Sequence, residues 1–152
     1  MSNVLRQPGV SSDDVASVTI GTTAFLNAVL ERDARHLSRV AVIRLSKSFL
    51  RDVKPFADWP TDLRDVLNGY VGYVDGGLHI DGSEEAPILE QQILRECAEI
   101  KKRGIKAIVI AGIFSPIDHS FKQEERVRNM IAREIEGADI VCSRDVANIG
   151  ES

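Results

Sequence analysis

Cysteine and long apolar runs are both scarce in this chain. The two cysteines among 152 residues, Cys97 and Cys142, have neither metal-ligand nor redox spacing, which argues against a disulfide scaffold and favours a reducing compartment. No apolar run approaches the roughly 20 residues that span a bilayer. The first residues also lack the continuous apolar segment of a signal peptide. We therefore expect a cytoplasmic protein that makes no membrane contact.

Net charge and aromatic content are low as well. The 19 basic and 23 acidic side chains leave a net charge of −4, so nucleic acid is not expected as a partner. Aromatic residues make up 5% of the chain, which leaves a core of Ile, Val and Leu. The length suits one globular domain. Polar residues 1–14 predict a flexible lead-in, and residues 15–152 predict a single domain.

Strands and helices alternate in the hydrophobic pattern of residues 15–152. Strands are predicted over 15–20, 39–45, 105–113 and 139–142, and helices over about 21–32, 87–103 and 122–136. The first helix carries an apolar stripe formed by Phe25, Leu26, Val29 and Leu30. The alternation predicts a layered α/β domain with a mostly parallel sheet and helices on both faces.

The pattern of residues 46–80 is less regular. Pro55 and Pro60 interrupt it, so we expect short helical turns that pack over a sheet edge before residue 68. Further along, the turn Asp75-Gly76-Gly77 separates two short apolar segments, 70–74 and 78–80. Since glycine adopts positive φ without steric cost, this spacing predicts an antiparallel β-hairpin.

A glycine and two threonines follow the first predicted strand. Gly21 leaves room for a ligand beside the backbone, and the hydroxyls of Thr22 and Thr23 at a helix N-terminus suit a phosphate or a carboxylate. Asn27 lies four residues after Thr23 and shares its helix face. We predict that these four residues bind substrate or phosphate. An ordinary turn with an N-cap threonine is the structural alternative, which the spacing alone leaves open.

Other polar residues favour structural roles. Three of them lie near the predicted hairpin and form no recognised metal spacing, so no metal site is predicted there: Asp75, His79 and Asp81. Asp118 and His119 follow a predicted central strand at the end where α/β sheets bind ligands, but a surface position is the simpler interpretation. Cys142 has no partner base in the sequence and is interpreted as a small core residue. The sequence also contains no Walker-type phosphate loop, Gly-x-Gly-x-x-Gly or Gly-x-Ser-x-Gly motif.

Several segments of the chain match, in order, the motifs of one protein family. They are Ile-Gly-Thr-Thr-Ala-Phe-Leu-Asn-Ala-Val-Leu-Glu-Arg at 20–32, Arg-Val-Ala-Val-Ile-Arg-Leu at 39–45, Pro-Phe-Ala-Asp-Trp-Pro at 55–60, Val-Asp-Gly-Gly at 74–77, Ile-Phe-Ser-Pro at 113–116 and Asp-Val-Ala-Asn-Ile-Gly at 145–150. With these motifs the chain resembles the N-terminal region of the hydantoinase A/oxoprolinase family. The resemblance covers nearly the whole sequence.

This resemblance implies a fold like part of actin, Hsp70 and the sugar kinases, the ribonuclease H-like group. It also implies an enzyme that opens cyclic amides such as hydantoins and 5-oxoproline with ATP and magnesium, by phosphorylating the amide oxygen before water attacks. Gly21, Thr22, Thr23 and Asn27 would line the cleft and orient substrate or phosphate. Two departures are visible: Ala24 replaces the His of many members, and no Asp-x-Gly-Gly-Thr-x-Thr-Asp phosphate hairpin precedes the first predicted strand.

The chain is therefore expected to be a segment of a longer enzyme, inactive in isolation and without a cofactor of its own. Its expected partners are a small cyclic amide and the remainder of the parent enzyme, a second hydantoinase-type subunit or another copy of the chain. The alternative function is a non-catalytic binding or subunit-assembly module, because a truncated sheet exposes an unpaired strand edge and apolar surface.

Overall fold

A computed structural model describes residues 37–48 and 54–147. The described strands are β1 (Val40–Leu45), β2 (Asn68–Val74), β3 (Ala107–Gly112) and β4 (Asp139–Cys142). The described α-helices are α1 (Thr61–Leu67), α2 (Glu90–Lys102), α3 (Gln123–Glu134) and α4 (Ser143–Ala147), and Ser115–Ile117 forms a 3₁₀ turn. The strand and helix predicted over 15–32 lie outside these residues.

All four described strands are parallel and lie in the order β2-β1-β3-β4. β1 is central: it pairs with β3 without interruption, and with β2 after a register shift between Val40 and Ala41. The prediction of a layered α/β fold is thus confirmed. The chain leaves β1 towards β2 and then returns past β1 to β3. Since crossover connections are right-handed, this reversal places the β1–β2 connection on the face opposite to α2 and α3.

One face of the sheet, here called the first face, carries the main hydrophobic core. Ala41, Ile43 and Leu45 of β1 point to this face and are fully buried. The helices α2 and α3 pack over them with stripes at helical spacing: Ile93, Cys97, Ile100, Val127 and Ile131. Burying an Ile or Leu side chain contributes about 1.5–3 kcal/mol, so this layer supplies much of the stability.

The opposite face, here called the second face, presents the alternate residues of each strand. Val42 and Arg44 of β1 lie there beside their register partners Val71 and Tyr73 of β2. The segment 54–60 and α1 border a groove against these β2 side chains. The β1–β2 connection therefore lies on the side that the right-handed crossover requires.

The predicted hairpin around Asp75-Gly76-Gly77 is wrong. The segment 70–74 belongs to β2, which pairs in parallel with β1, and the segment 78–80 contributes only one antiparallel bridge, between Leu78 and Glu84. The glycine turn does redirect the chain, but β2 pairs with the buried central strand β1 and not with the segment that follows the turn. The helix predicted over 87–103 begins at Glu90 rather than near Pro87, because Leu89 still has an extended backbone.

Within the described ranges, no helix has both the length and the apolar character needed to cross a bilayer.

Candidate functional site at the carboxyl edge of the sheet

Three of the motif segments meet where the parallel strands end, here called the carboxyl edge. The amide of Ser46 donates to the carbonyl of Val74 at 3.0 Å, which joins the end of β1 to the end of β2. The amide of Ile113 donates to the carbonyl of Leu45 at 3.3 Å, and the amide of Leu78 donates to the carbonyl of Ile113 at 3.1 Å. Segments far apart in sequence are therefore bonded directly at the edge where α/β folds bind ligands.

The Gly76-Gly77 turn lies across the end of β1, and both glycines are needed for that approach. A Cβ at Gly76 would lie 2.7 Å from Cδ1 of Ile88 and 3.2 Å from Cβ of Leu45. Gly77 has φ of +93°, a backbone conformation that residues other than glycine rarely adopt. The turn thus fills the space between the ends of β1 and β3, and a ligand at this edge must lie beside it.

Gln123 fixes this turn to the start of α3. Its side chain is 2% exposed, and its Oε1 accepts a 2.7 Å hydrogen bond from the amide of Gly77. Its Nε2 donates to Oε1 of Glu84 at 2.9 Å and to the carbonyl of Ala86 at 3.1 Å. Because all these groups are paired, one buried amide ties residues 77–86 to the helix.

Asp118 closes the N-terminus of α3. It is 3% exposed, and its carboxylate accepts hydrogen bonds from the amides of Phe121, Lys122 and Gln123 at 2.9, 2.8 and 2.7 Å. A carboxylate in this position satisfies free N–H groups and interacts favourably with the helix dipole. Asp118 does lie at the carboxyl edge, as its place after the central strand suggested, but its contacts are structural. The neighbouring His119 is exposed.

Glu124 joins the ends of β3 and β4. This residue is 2% exposed, and its Oε1 accepts from the amide of Gly112 at 2.7 Å and from Oγ of Ser143 at 2.6 Å. Its Oε2 accepts from the amide of Arg144 at 3.0 Å. Oγ of Ser115 lies 2.9 Å from Oγ of Ser143 and extends the network. The carboxyl edge is therefore held in one arrangement by charge-assisted hydrogen bonds.

The residues described at this edge do not fit a magnesium ion. Asp118 and Glu124 each accept three hydrogen bonds, which leaves little carboxylate capacity for a cation that demands octahedral oxygen ligands. Across residues 37–48 and 54–147, no three His, Cys, Asp or Glu side chains come together as metal ligands. Any magnesium bound by the parent enzyme needs ligands from elsewhere.

Arg44 lies near the carboxyl edge on the second face. It is the last residue but one of β1, it is half-buried, and its register partner is Tyr73. Its Nε is buried and has no hydrogen-bond partner among the residues that the structure describes. A buried guanidinium nitrogen without a partner is unusual, since such a donor normally finds an acceptor.

The groove on the second face is lined in part by Tyr73, the register partner of Arg44. Its volume is about 580 Å³, within the usual range for small-molecule sites. Its lining combines two cations with aromatic and apolar groups: Lys54, Pro55, Phe56, Ala57, Arg64, Asn68, Val71 and Tyr73. Half of this lining comes from the segment 54–57, most of which belongs to the 55–60 motif. The groove therefore offers positive charge and a flat apolar wall in one place.

The wall of the groove is held by an aromatic pair. Phe56 has φ of 63°, a left-handed conformation that costs a residue with a side chain about 1 kcal/mol or more. Its ring meets that of Trp59 edge to face, with centroids 5.2 Å apart and planes at 89°. The contact within this motif compensates for the strained backbone and fixes the direction of the Phe56 side chain.

The two thiols are core groups rather than nucleophiles. Cys97 and Cys142 are 1% and 2% exposed, and burial raises the pKa of each thiol to about 11. A thiol with such a pKa carries almost no thiolate at neutral pH, and the thiolate is the reactive form. The interpretation of Cys142 as a small core residue is confirmed.

The residues predicted to bind substrate or phosphate, Gly21, Thr22, Thr23 and Asn27, lie outside the described residues, so their role stays a prediction.

The three polar residues near the supposed hairpin have structural or exposed positions. Asp75 exchanges two hydrogen bonds with Gln92, and hydrogen bonds from Ser83 lower the pKa of the Asp81 carboxyl. His79 is exposed.

A sequence model of the hydantoinase/oxoprolinase N-terminal region matches residues 1–135 of the chain. The chain belongs to this family. The match contains the motif segments that meet at the carboxyl edge and runs to Ile135, the residue that follows α3. No protein in a set of curated proteins matches the chain. The resemblance drawn from the motifs is thus confirmed. The matched region ends before β4 and α4.

Three residues that organise this part of the hydantoinase/oxoprolinase chain were not singled out from the sequence. Gln123 and Glu124 read as ordinary polar residues of a first helical turn, and nothing local indicates that both are buried. Arg44 did leave a signal, because it is a charge inside the otherwise apolar strand 40–45. A charged residue in a central strand indicates either a partner or a ligand on that face.

Proposed function

We propose that this chain is the N-terminal part of a cytoplasmic hydrolase that opens cyclic amides of the hydantoin or 5-oxoproline type. Its membership of the hydantoinase/oxoprolinase N-terminal family supports this class of reaction. The observation that carries the proposal for the site is the direct bonding of the segments 39–45, 74–77 and 113–116 at the carboxyl edge. The reaction cleft of the parent enzyme lies over this edge.

The groove supports a ring substrate that bears an anionic group. Lys54 and Arg64 supply positive charge, and Tyr73 supplies a flat face for a planar amide ring. Arg44 is the register partner of Tyr73, and its Nε has no partner within residues 37–48 and 54–147. A guanidinium recognises a carboxylate through paired hydrogen bonds, so 5-oxoproline, which carries a carboxylate, suits this lining better than an unsubstituted hydantoin.

The parent enzyme is proposed to use ATP and magnesium, as the resemblance implies, with the metal ligands supplied from outside the described residues. Gly21, Thr22, Thr23 and Asn27 orient the substrate or a phosphate group in the same cleft. Two hydroxyls and free amides at a helix N-terminus suit an anion, and they position it without acting as nucleophile or base. The chain by itself is proposed to be inactive.

Calorimetry tests this proposal on two proteins. ATP with magnesium, 5-oxoproline and hydantoin are titrated into this chain and into the chain preceded by the family's phosphate-binding hairpin and followed by the rest of the parent enzyme. We expect ring opening, measured as release of the open amino acid, only in the longer protein. Absence of binding and of turnover in both proteins contradicts the enzyme assignment.

Two substitutions in the longer protein separate the parts of the proposal. Arg64→Ala is expected to raise KM for 5-oxoproline more than for hydantoin, because only the former carries a carboxylate. Thr23→Ala is expected to lower kcat while the circular dichroism spectrum stays unchanged. Thr61→Ala, at the exposed first residue of α1, is the matched control. Equal KM changes for both rings contradict the role of the groove, and wild-type kcat in Thr23→Ala contradicts that of the turn.

A subunit-assembly module is the second candidate function. Exposed apolar side chains at and beyond the carboxyl edge favour it: Ile80 is 82% exposed, Phe114 42% and Ile117 41%. Such residues commonly mark a contact with another protein surface. The rest of the parent enzyme, a second hydantoinase-type subunit or another copy of the chain would cover them. Sedimentation of the isolated chain, with Ile80→Ser as the variant, distinguishes self-association from a contact made only in the parent enzyme.

A further inference from the structure

Arg44 is a charge within a sheet whose described strands are otherwise almost entirely uncharged. The only other charged residue of these four strands is Asp139, which begins β4. Asp139 is the register partner of Ala107, four residues before the level of Arg44. That offset is about 13 Å along the strands, and β4 lies two strands away from β1, so the two charges cannot pair. The described sheet therefore supplies no counterion to Arg44.

The strands beside β1 place an aromatic ring and a methyl group next to Arg44. Its register partners are Tyr73 on β2 and Ala111 on β3, and adjacent strands lie about 4.8 Å apart. None of the ion pairs within residues 37–48 and 54–147 involves Arg44, and its buried Nε donates to no group there. On the β3 side the guanidinium thus has only a small, apolar neighbour in the sheet.

Keeping this charge in the sheet lowers stability, and the described contacts do not compensate for it. A partly buried cation loses hydration, which hydrogen bonds or an ion pair normally offset. Arg44 is half-buried, and no such offset is present in the part of the chain that the structure describes. An arginine in this state suits a charged ligand better than it suits the fold.

The position of Arg44 coincides with the point where α/β sheets bind ligands. The connection after β1 leads to β2 on one side, and the next connection returns past β1 to β3 on the other. Open α/β sheets bind ligands at such a reversal of strand order, in the crevice outside the carboxyl ends of the strands. Arg44 is the last residue but one of β1. A ligand at this crevice therefore lies close to the end of the strand that carries the unpaired charge.

We infer that Arg44 binds an oxyanion, a carboxylate or a phosphate, at the carboxyl edge of β1. A guanidinium pairs with either group through two parallel hydrogen bonds. Arg44 then belongs to the cleft of the proposed function, on which the choice of 5-oxoproline as the carboxylate ligand rests. A phosphate group is the other source of the same chemistry. A ring without an anionic group gains nothing from Arg44.

Calorimetry on the full chain tests this role directly. 5-Oxoproline, inorganic phosphate and hydantoin are titrated at constant ionic strength into the wild-type chain, Arg44→Met and Arg39→Met. Arg39 is the matched control, because it is an exposed arginine that directly precedes β1. At least one of the two anions is expected to bind the wild type and Arg39→Met equally, and Arg44→Met at least about tenfold more weakly. The anion that binds more tightly identifies the source of the oxyanion.

Stability in the absence of anions gives a second, independent readout. Methionine has an apolar side chain of similar length to the stem of arginine but carries no charge. Arg44→Met is therefore expected to raise the urea midpoint, whereas Arg39→Met leaves it unchanged. An arginine that serves only the fold would show the opposite, a lower midpoint after substitution.

Three results would overturn the role of Arg44: neither anion binds the wild-type chain, Arg44→Met binds both anions as tightly as the wild type, or Arg44→Met lowers the urea midpoint. None of these results affects the proposed reaction, because ring opening is measured in the longer protein. If the longer protein opens no ring while anion binding to the chain still depends on Arg44, the proposed reaction fails and the role of Arg44 stands.

Discussion

Replacing Glu124 with alanine tests whether the carboxyl edge depends on one buried carboxylate. The side chain is 2% exposed and accepts hydrogen bonds from the amides of Gly112 and Arg144 and from the hydroxyl of Ser143. The substitution leaves the two amides without an acceptor between the ends of β3 and β4, whereas the hydroxyl of Ser143 can turn to Oγ of Ser115 at 2.9 Å. It also removes the link between those strands and α3.

The magnitude follows from the number of donors. A buried donor left without a partner costs about 1–3 kcal/mol, and the two amides give about 2–6 kcal/mol if neither relaxes. Water can enter at a strand end, so we expect Glu124→Ala to lower the free energy of unfolding by about 2–4 kcal/mol. Glu124→Gln retains one acceptor oxygen but turns its side-chain amide towards a backbone N–H. We therefore expect this substitution to lower the free energy of unfolding by about 1–2 kcal/mol.

Urea unfolding followed by far-ultraviolet circular dichroism measures both values. Glu125→Ala is the matched control, because this neighbouring side chain is 55% exposed and lies 3.8 Å from Nζ of Lys122 in a surface ion pair. Its effect should stay within about 0.5 kcal/mol. If Glu124→Ala costs no more than Glu125→Ala, the carboxylate does not hold this edge and the reasoning fails.

Three other features give testable outcomes. Gly72→Ala should lower stability by about 1–3 kcal/mol in urea unfolding, because a Cβ there would lie 2.0 Å from Oε2 of Glu96 and force that side chain away from Tyr70. The pKa of the Tyr70 phenol is raised from 10.0 to about 12, first by burial and then by Glu96, so its phenolate absorbance should appear only near pH 12. The folded state therefore holds a proton that the unfolded state has lost, and stability should fall as pH rises from about 10 to 12. Cys97 and Cys142 should react slowly with a thiol reagent at pH 8 in native protein and rapidly in urea.

Each of these outcomes has a control in the chain. A Cβ at Gly112 would have its nearest neighbour at 3.4 Å, an ordinary contact, so Gly112→Ala should cost little. Tyr70→Phe should remove the phenol transition near pH 12. An ordinary phenol pKa for Tyr70, or native thiols that react as fast as unfolded ones, would contradict the described burial.

The elements with strong periodicity were predictable from the sequence. The strand predicted over 39–45, the helices predicted over 87–103 and 122–136, and the strand 139–142 need only local pattern, because burial imposes a period of two or 3.6 residues. These predictions are confirmed. The family too was readable, since its motifs are contiguous segments.

The failures involve interactions between distant segments. The glycine turn after Val74 indicates a change of direction, but nothing local tells whether a strand pairs with the next segment or with β1, which is remote in sequence. Gln123 likewise reads as a solvated helix residue, although its partners lie at 77–86. A buried polar network is formed by residues that become adjacent only after folding, so the hydrophobic periodicity of the sequence does not predict it.

The central position of β1 has a consequence for synthesis on the ribosome. Among the described strands, β1 emerges first, yet both of its neighbours are made later: β2 begins at Asn68 and β3 at Ala107. A nascent chain therefore carries an aliphatic strand with two open hydrogen-bonding edges until much of the domain has been translated. Such a strand is a natural target for chaperones and for misassembly between nascent chains.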